Sequence, residues 1–395
     1  MILLKYLVLG LTYLGLGLGY LPGLRMNRAA IAIAGSGLVV ALGILNLNSA
    51  WEAIDAGTIV FLLGMMVVNS ALGASGFFQL ALVFLTRFGK SPLGILVAIT
   101  FGSGILSAFF LNDTTAILLT PLTLTLTRSL SVNPLPYLLA LAGGTNLGSV
   151  ATISGNPQNI LIGSFSGIGY LEFARSLAPV ALICLLVQVG WLWWLYPEVR
   201  SLKPFPTYPL VRYRLFKPLL FKSLWVTAGL LIAFLTGYPL ADSALIAASI
   251  LLITRRVNSD RILGNIDWNL LVMFAGLFVI THATQELGIL NNLTGSIEQP
   301  PSLLAVTVIL SNLISNVPAV LVLQSLIPKG DTQAWLLLAA ASTLAGNLTL
   351  LGSVANLIVA EVGGKQGYRL SFQEHLRFGL PLTLVTLVIA YFWIY

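Results

Sequence analysis

Long apolar runs separated by short polar breaks dominate the chain. They fall near 3–20, 29–46, 58–74, 92–110, 114–127, 136–165, 173–196, 219–237, 241–254, 268–285, 302–314, 318–328, 334–360 and 376–394. A helix that crosses a hydrocarbon layer of ~30 Å needs about 20 apolar residues. Ser302 to Ile314 and Pro318 to Pro328 are only about 20 Å and 16 Å long at the helical rise of 1.5 Å per residue. They read as one re-entrant hairpin, 302–328, with its tip at Ser315-Asn316-Val317-Pro318. Pro92 to Phe110 and Thr114 to Thr127 read as a second, 92–127, tipped by Asn112-Asp113, although its first arm alone is long enough to cross. Two further runs are long but interrupted. The run 136–165 carries Gly143-Gly144-Thr145-Asn146-Leu147-Gly148-Ser149 and Ser154-Gly155-Asn156-Pro157-Gln158-Asn159, and 334–360 carries Ala345-Gly346-Asn347-Leu348-Thr349 and Gly352-Ser353-Val354-Ala355-Asn356. Gly, Asn and Pro at that density do not sustain a regular helix. Irregular backbone at membrane depth is tolerated only where it is buried in protein or lines a cavity, so both runs read as broken helices.

The interruptions are paired because the chain repeats. Ile54-Asp55 matches Ile266-Asp267, Gly64 matches Gly276 and Gly76 matches Gly288, each 212 positions apart. Ser107 and Asn112 match Ser311 and Asn316 at a spacing of 204, and Gly155 and Asn159 match Gly352 and Asn356 at 197. The odd number of crossings in each copy makes the two copies inverted. The expected fold is therefore an all-α integral membrane protein of two inverted-topology repeats, with about ten transmembrane helices, two re-entrant hairpins and two broken helices. The first repeat spans 1–196, the second 219–395, and the proline-rich stretch 197–218 links them.

Composition agrees with this reading. Hydrophobic residues make up 57% and charged residues 8% of 395, whereas soluble domains carry about 25% charge. Met1 to Tyr20 reads as the first span, because no small-x-small cleavage site follows it. The single cysteine, Cys184, excludes an intrachain disulfide or a cysteine metal cluster. The net charge of +7 points to topology and not to nucleic acid. With the 21–28 loop in the cytoplasm, only Lys5, Arg175 and Lys329 of the 20 Lys and Arg residues fall outside, as the positive-inside rule requires. The expected location is the cell membrane, crossed many times.

The chemistry centres on Asp113. A carboxylate inside a span costs about 2.5 to 3.5 kcal/mol on insertion scales, so such residues usually face a cavity or a partner. Inverted repeats with matching interrupted segments point to a secondary transporter whose site lies at the midplane between them. The expected lining is Asn112, Asp113, Thr114, Thr115, Thr145, Asn146, Ser154, Gly155, Asn156, Pro157 and Asn159 from the first copy, with Ser315, Asn316, Asn347, Thr349, Gly352, Ser353 and Asn356 from the second. Helix N-termini suit an anion, while unwound carbonyls and amide oxygens suit a cation. Asn112-Asp113 corresponds to Asn316-Val317, so only one tip is titratable and Asp113 is the expected coupling residue, carrying a proton or facing Na⁺. No Arg or Lys is expected in this pocket.

Three ordered stretches carry a family resemblance: Asn-Asp-x-Thr at 112–115, with Pro121 closing it; Gly-Gly-Thr-Asn-Leu-Gly at 143–148, with Gly-Asn-Pro-x-Asn at 155–159; and Ala-Gly-Asn-Leu-Thr at 345–349, with Gly-Ser-x-Ala-Asn at 352–356. They resemble the ion transporter superfamily, nearest its arsenite-permease and sodium/proton-antiporter (ArsB/NhaD-like) branch, which also includes citrate-type and divalent-anion/sodium symporters. The resemblance implies a homodimer, a scaffold made from the early spans of each copy, and a core of hairpins and broken helices that moves as an elevator. It also implies that tip and break residues bind substrate and coupling ion. The symporters carry Ser-Asn-Thr at both tips, and this chain reads Asn112-Asp113-Thr114 and Ser315-Asn316-Val317.

The expected function is a secondary active transporter for an inorganic anion or oxyanion coupled to H⁺ or Na⁺, without a cofactor or a resident metal. A Na⁺/H⁺ antiporter is the alternative. The remote alternative is a rhomboid-like serine protease, suggested by Gly73-Ala74-Ser75-Gly76 with His282, but Ser75 and His282 sit in corresponding spans of different copies and nothing in the chain brings them together. His282 reads as structural beside Glu286, and His375, flanked by Glu374 and Arg377, as interfacial.

Overall fold

Helix-forming apolar runs broken by caps and prolines produce a structure in which every described element is helical. The computed structural model describes residues 2–205, 215–254, 258–289, 297 and 299–395. Residues 206–214 of the expected linker, with Arg212 and Arg214, lie outside the described residues, as do Arg255 and Arg256.

In order, the helices are α1 (Ile2–Leu18), α2 (Arg28–Ala41), α3 (Leu47–Glu52), α4 (Ala56–Ser75), α5 (Phe77–Phe88), α6 (Pro92–Phe109), α7 (Asn112–Ser129), α8 (Leu135–Ser149), α9 (Pro157–Ser166), α10 (Tyr170–Leu195), α11 (Lys217–Leu235), α12 (Leu240–Leu252), α13 (Ser259–Leu263), α14 (Trp268–Glu286), α15 (Pro300–Ile314), α16 (Asn316–Leu323), α17 (Thr332–Ala345), α18 (Val354–Lys365) and α19 (Phe372–Ile394). Among the described residues, 6 of these are long and apolar enough to cross a membrane: α4, α6, α10, α11, α14 and α19. Shorter apolar helices fill much of the remainder, α1, α2, α12, α15 and α17 among them.

The boundaries follow local chemistry. Asp55 and Asp267, at corresponding positions, cap α4 and α14 by accepting from Thr58 N at 2.6 Å and Leu270 N at 3.0 Å. Ser91 caps α6, whose first residue is Pro92, and Asp331 caps α17. A capping box between Ser371 and Glu374 starts α19. Gly76 ends α4 in the left-handed region, at φ 86°.

The interruptions fall close to where the sequence puts them, with two differences. Gly143–Ser149, expected to break the run, is the helical end of α8, where Gly144 and Gly148 pack tightly against α6. Asn112-Asp113 opens α7, while the turn itself lies just before it. Only Phe110 and Leu111 separate α6 from α7, and Ser315 alone separates α15 from α16. Residues 150–156, with one 3₁₀ turn at Ile153–Gly155, separate α8 from α9. Residues 346–353 separate α17 from α18.

Packing brings the matched segments together in an exchanged pattern. A Cβ on Gly64 in α4 would lie 2.7 Å from the Ala244 carbonyl in α12, and one on Gly276 in α14 would lie 2.9 Å from the Ala32 carbonyl in α2. Gly64 corresponds to Gly276 and Ala32 to Ala244, so the same close backbone approach occurs twice. Gly17, in the Gly-x-Gly-x-Gly run that ends just past α1, meets the Leu313 carbonyl at the end of α15. This is close helix packing of small residues. The buried core is continuous through α4, α6, α8, α10, α14 and α17.

Candidate functional site

The two breaks are closed by one device used twice. When a helix stops inside a protein, its last carbonyls lack partners and must be satisfied by side chains. Asn159 Nδ2 donates to the carbonyls of Ser149 at 3.0 Å and Thr152 at 2.9 Å. Asn356 Nδ2 donates to the carbonyls of Gly346 at 2.8 Å and Thr349 at 3.2 Å. These residues stand pairwise 197 positions apart, the spacing found between the two breaks in the sequence. Each asparagine near the start of the second half-helix thus ties it to the end of the first.

The breaks also bond to each other. Asn146 Nδ2 donates to Asn347 Oδ1 at 2.8 Å and Asn356 Oδ1 at 3.1 Å, while Asn146 Oδ1 accepts from Ser353 Oγ at 2.9 Å and Asn112 Nδ2 at 3.3 Å. Across from it, Thr343 Oγ1 accepts from Asn156 Nδ2 at 3.2 Å and from Gln158 Nε2 at 3.3 Å, and lies 3.4 Å from Asn159 Oδ1. Thr343 corresponds to Asn146, so the crossing is again reciprocal. Asn112, Asn146, Asn156, Asn159, Asn347, Ser353 and Asn356 therefore form one buried polar seam.

Asp113 lies outside that seam. It faces a cavity of about 410 Å³ lined by Asn69 and Ser70 of α4, Asp113 and Thr114 of α7, Pro157 of α9, and Arg261, Asn265 and Asp267. Apolar walls come from Met66, Leu111, Ile117, Leu118 and Val354. Arg261, Asn265 and Asp267 are exposed and form the rim, while Asp113 and Thr114 are half-buried and Asn69 is 1% exposed. The Asp113 carboxylate has no hydrogen bond or ion pair among the described residues. Asn69 has no partner for Oδ1 or Nδ2. Among the described residues Arg261 makes no ion pair within 4.0 Å. Its presence on the wall corrects the expectation of a pocket without Arg or Lys, because α13 folds the 259–263 stretch over the mouth.

The remaining expected residues divide into two groups. Thr145 donates to the Ala142 carbonyl at 2.8 Å, Thr115 to the Leu111 carbonyl at 3.3 Å, and Ser154 pairs with Tyr170 Oη at 2.9 Å, so these hydroxyls are spent locally. Thr349 donates to Asn312 Oδ1 at 3.2 Å, and Gly155 and Gly352 lie at tight approaches to Ser149 and Asn312. The second tip is different. Ser315 adopts φ 79° and ψ 156°, a region that is open essentially to glycine alone. Asn316, beside it, is buried with Oδ1 unpartnered.

Three residues escaped the sequence reading. Asn69 left a signal, a lone amide in an apolar span. Thr343 did so weakly. His375 is the correction: it is fully buried, with Nε2 3.1 Å from the Asn347 carbonyl oxygen and 3.4 Å from Asn356 Nδ2. His282, by contrast, lies 3.9 Å from Glu286 at the surface, and Ser75 Oγ donates to the Leu72 carbonyl at 2.6 Å.

Comparison with known proteins fits this architecture. The inner membrane protein YbiR of Escherichia coli is 31% identical over 325 residues, covering 80% of this chain and 82% of that one. The silicon efflux transporter LSI3 of rice, Oryza sativa subsp. japonica, is 28% identical over 452 residues, covering 93% and 92%. The crystal structure of the Alcanivorax borkumensis YdaH transporter superposes with a TM-score of 0.59 at 15% identity, covering 100% of this chain and 96% of that one, which is a likeness of fold. The sequence pattern of the citrate transporter family, CitMHS, matches residues 21–345. The chain belongs to that family and is a multi-pass membrane transporter of the ion transporter superfamily's citrate and ArsB-like branch.

Proposed function

We propose that the protein is a secondary active transporter of two inverted repeats, 1–196 and 219–395, which moves a small inorganic oxyanion-type solute coupled to H⁺ or Na⁺. Asp113 is the coupling residue. The observation that carries this reading is an unpartnered carboxylate on a 410 Å³ cavity beside two interrupted helices. A membrane-embedded acid without a structural partner is best explained by a cation that comes and goes. The duplicated asparagine closures and the exchanged Gly64–Ala244 and Gly276–Ala32 contacts support the repeat. The rim donors Arg261 and Asn265 suit an anionic or hydroxylated solute, and the silicon efflux named for the rice relative supports an inorganic oxy-species.

On the topology expected from the charge distribution the rim is cytoplasmic, and the cavity then corresponds to an inward-facing state. Alternating access moves the hairpins and broken helices against α2, α4, α12 and α14. A homodimer in the cell membrane belongs to the same reading through the superfamily resemblance.

A Na⁺/H⁺ antiporter is the second reading. It is favoured by the absence of any cationic side chain among the described residues on the deep wall beside Asp113. Proteoliposome flux with arsenite, silicate, sulfate, phosphate and dicarboxylates under imposed Na⁺ and pH gradients decides between them. Cation flux that requires one of the solutes selects the permease, and Na⁺-driven proton movement with none present selects the antiporter.

A further inference from the structure

We infer that Asn69 is, together with Asp113 on the same cavity, a ligand of the monovalent cation that drives transport, a site shared between α4 and the start of α7. This rests on the proposed coupling role of Asp113 and adds a residue from a different part of the molecule.

Two departures from the internal repeat converge on one cavity. Asp113 corresponds to Val317, and Asn69 corresponds to Thr281. Thr281 has a protein partner, its Oγ1 lying 3.4 Å from Tyr13 Oη. Asn69 has none for either side-chain atom, although it is 1% exposed and lines the cavity with Asp113 and Thr114. A buried amide with both atoms unspent destabilises a fold unless a bound species uses it.

The donor set selects the species. Asn69 Oδ1, the Asp113 carboxylate and Thr114 Oγ1 are hard oxygen ligands of the kind that replace water around alkali and alkaline-earth cations. A single carboxylate on the deep wall balances one positive charge. Asp267 is at the rim and already accepts from Leu270 N at 3.0 Å. An anion in the same place would meet the Asp113 charge with no cationic side chain among the described residues beside it. The match is therefore to a Na⁺-class ion, with the rest of the cavity left for water or solute.

The test is cation-induced thermal stabilisation of the full-length protein in detergent, titrating NaCl against choline chloride at constant ionic strength. Wild type, Asn69→Leu, Asn69→Gln and Asp113→Asn are compared, with Na⁺-driven flux measured in parallel. Wild type should be stabilised by Na⁺. Asn69→Leu should raise the half-saturating Na⁺ concentration about tenfold or more, the loss expected for one oxygen facing a charge. Its melting temperature without Na⁺ should be unchanged or higher, since an apolar isostere removes two unsatisfied atoms. Asn69→Gln should retain part of the Na⁺ response.

A structural role predicts the reverse, a lower melting temperature without Na⁺ and an unchanged Na⁺ response, and that result overturns the inference. A wild type indifferent to Na⁺ overturns it too. If Asp113→Asn abolishes the Na⁺ response and Asn69→Leu leaves it intact, the coupling role stands and the Asn69 assignment fails. If Asp113→Asn leaves coupled flux intact, the underlying reading fails as well.

Discussion

Replacing Asn159 or Asn356 with alanine should destabilise the protein unequally, and the structure fixes the order. In Asn356→Ala the Gly346 carbonyl loses a donor at 2.8 Å and keeps no other among the described residues, while the Thr349 carbonyl still accepts from Gly352 N at 3.0 Å. Asn146 also loses an acceptor at 3.1 Å. One orphaned buried carbonyl at about 1–3 kcal/mol plus one weakened amide pair at about 1 kcal/mol gives a loss of about 2–4 kcal/mol. In Asn159→Ala both carbonyls keep second donors: Ser149 from Asn156 Nδ2 at 3.3 Å, and Thr152 from Gly155 N at 3.4 Å. The loss should be about 1–2 kcal/mol: two weakened bonds, one long contact with Thr343 Oγ1 at 3.4 Å removed, and no orphan. Denaturant titration of purified protein in mixed micelles, followed by tryptophan fluorescence, measures both. Equal losses, or a larger loss for Asn159→Ala, would refute the account of how the breaks are closed.

Three further outcomes follow from single contacts. Ser315→Gly should stabilise the protein by about 1 kcal/mol or more, because serine holds φ 79° and ψ 156° at a strain cost that glycine avoids; a lower melting temperature would mean that the serine hydroxyl matters more than the backbone. Gly148→Ala should sharply reduce the yield of monodisperse protein in size-exclusion chromatography, since its Cβ would overlap the Gly104 backbone where α8 crosses α6. Thr114→Cys, placed in a Cys184→Ala background, should react with a membrane-impermeant thiol reagent from the side that carries Arg261, and addition of the transported solute should slow that reaction.

What the sequence makes legible is the location of the interruptions. Gly, Asn and Pro act locally, so the Asn156-Pro157-x-Asn159 and Ser353-x-x-Asn356 starts of α9 and α18 can be read without knowing their neighbours. The buried seam was also within reach, because each of its asparagines is costly in lipid and the two copies repeat the cost. Asn69 does not stand out in the sequence because one amide does not disturb the apolar pattern of a 20-residue span. Arg261 counted as a cytoplasmic charge, and only the fold of α13 brings it over the cavity. Glu374 and Arg377 point to an interfacial His375, yet on a helix residues one and two positions away point about 100° and 200° elsewhere. The charged neighbours mark the solvent side, and His375 faces the second break. The resemblance to known transporters supplied the superfamily, while tertiary contact alone assembled the cavity.

The most direct measurement is Na⁺- and proton-gradient-driven flux in proteoliposomes, wild type against Asp113→Asn, at matched incorporation and with thermal stability checked in parallel. The account predicts that Asp113→Asn folds normally, since its carboxylate has no protein partner to lose, and that gradient-driven flux falls to background. Flux in Asp113→Asn that responds to either gradient as wild type does would contradict the central claim and leave Asp113 as a polar residue lining a cavity.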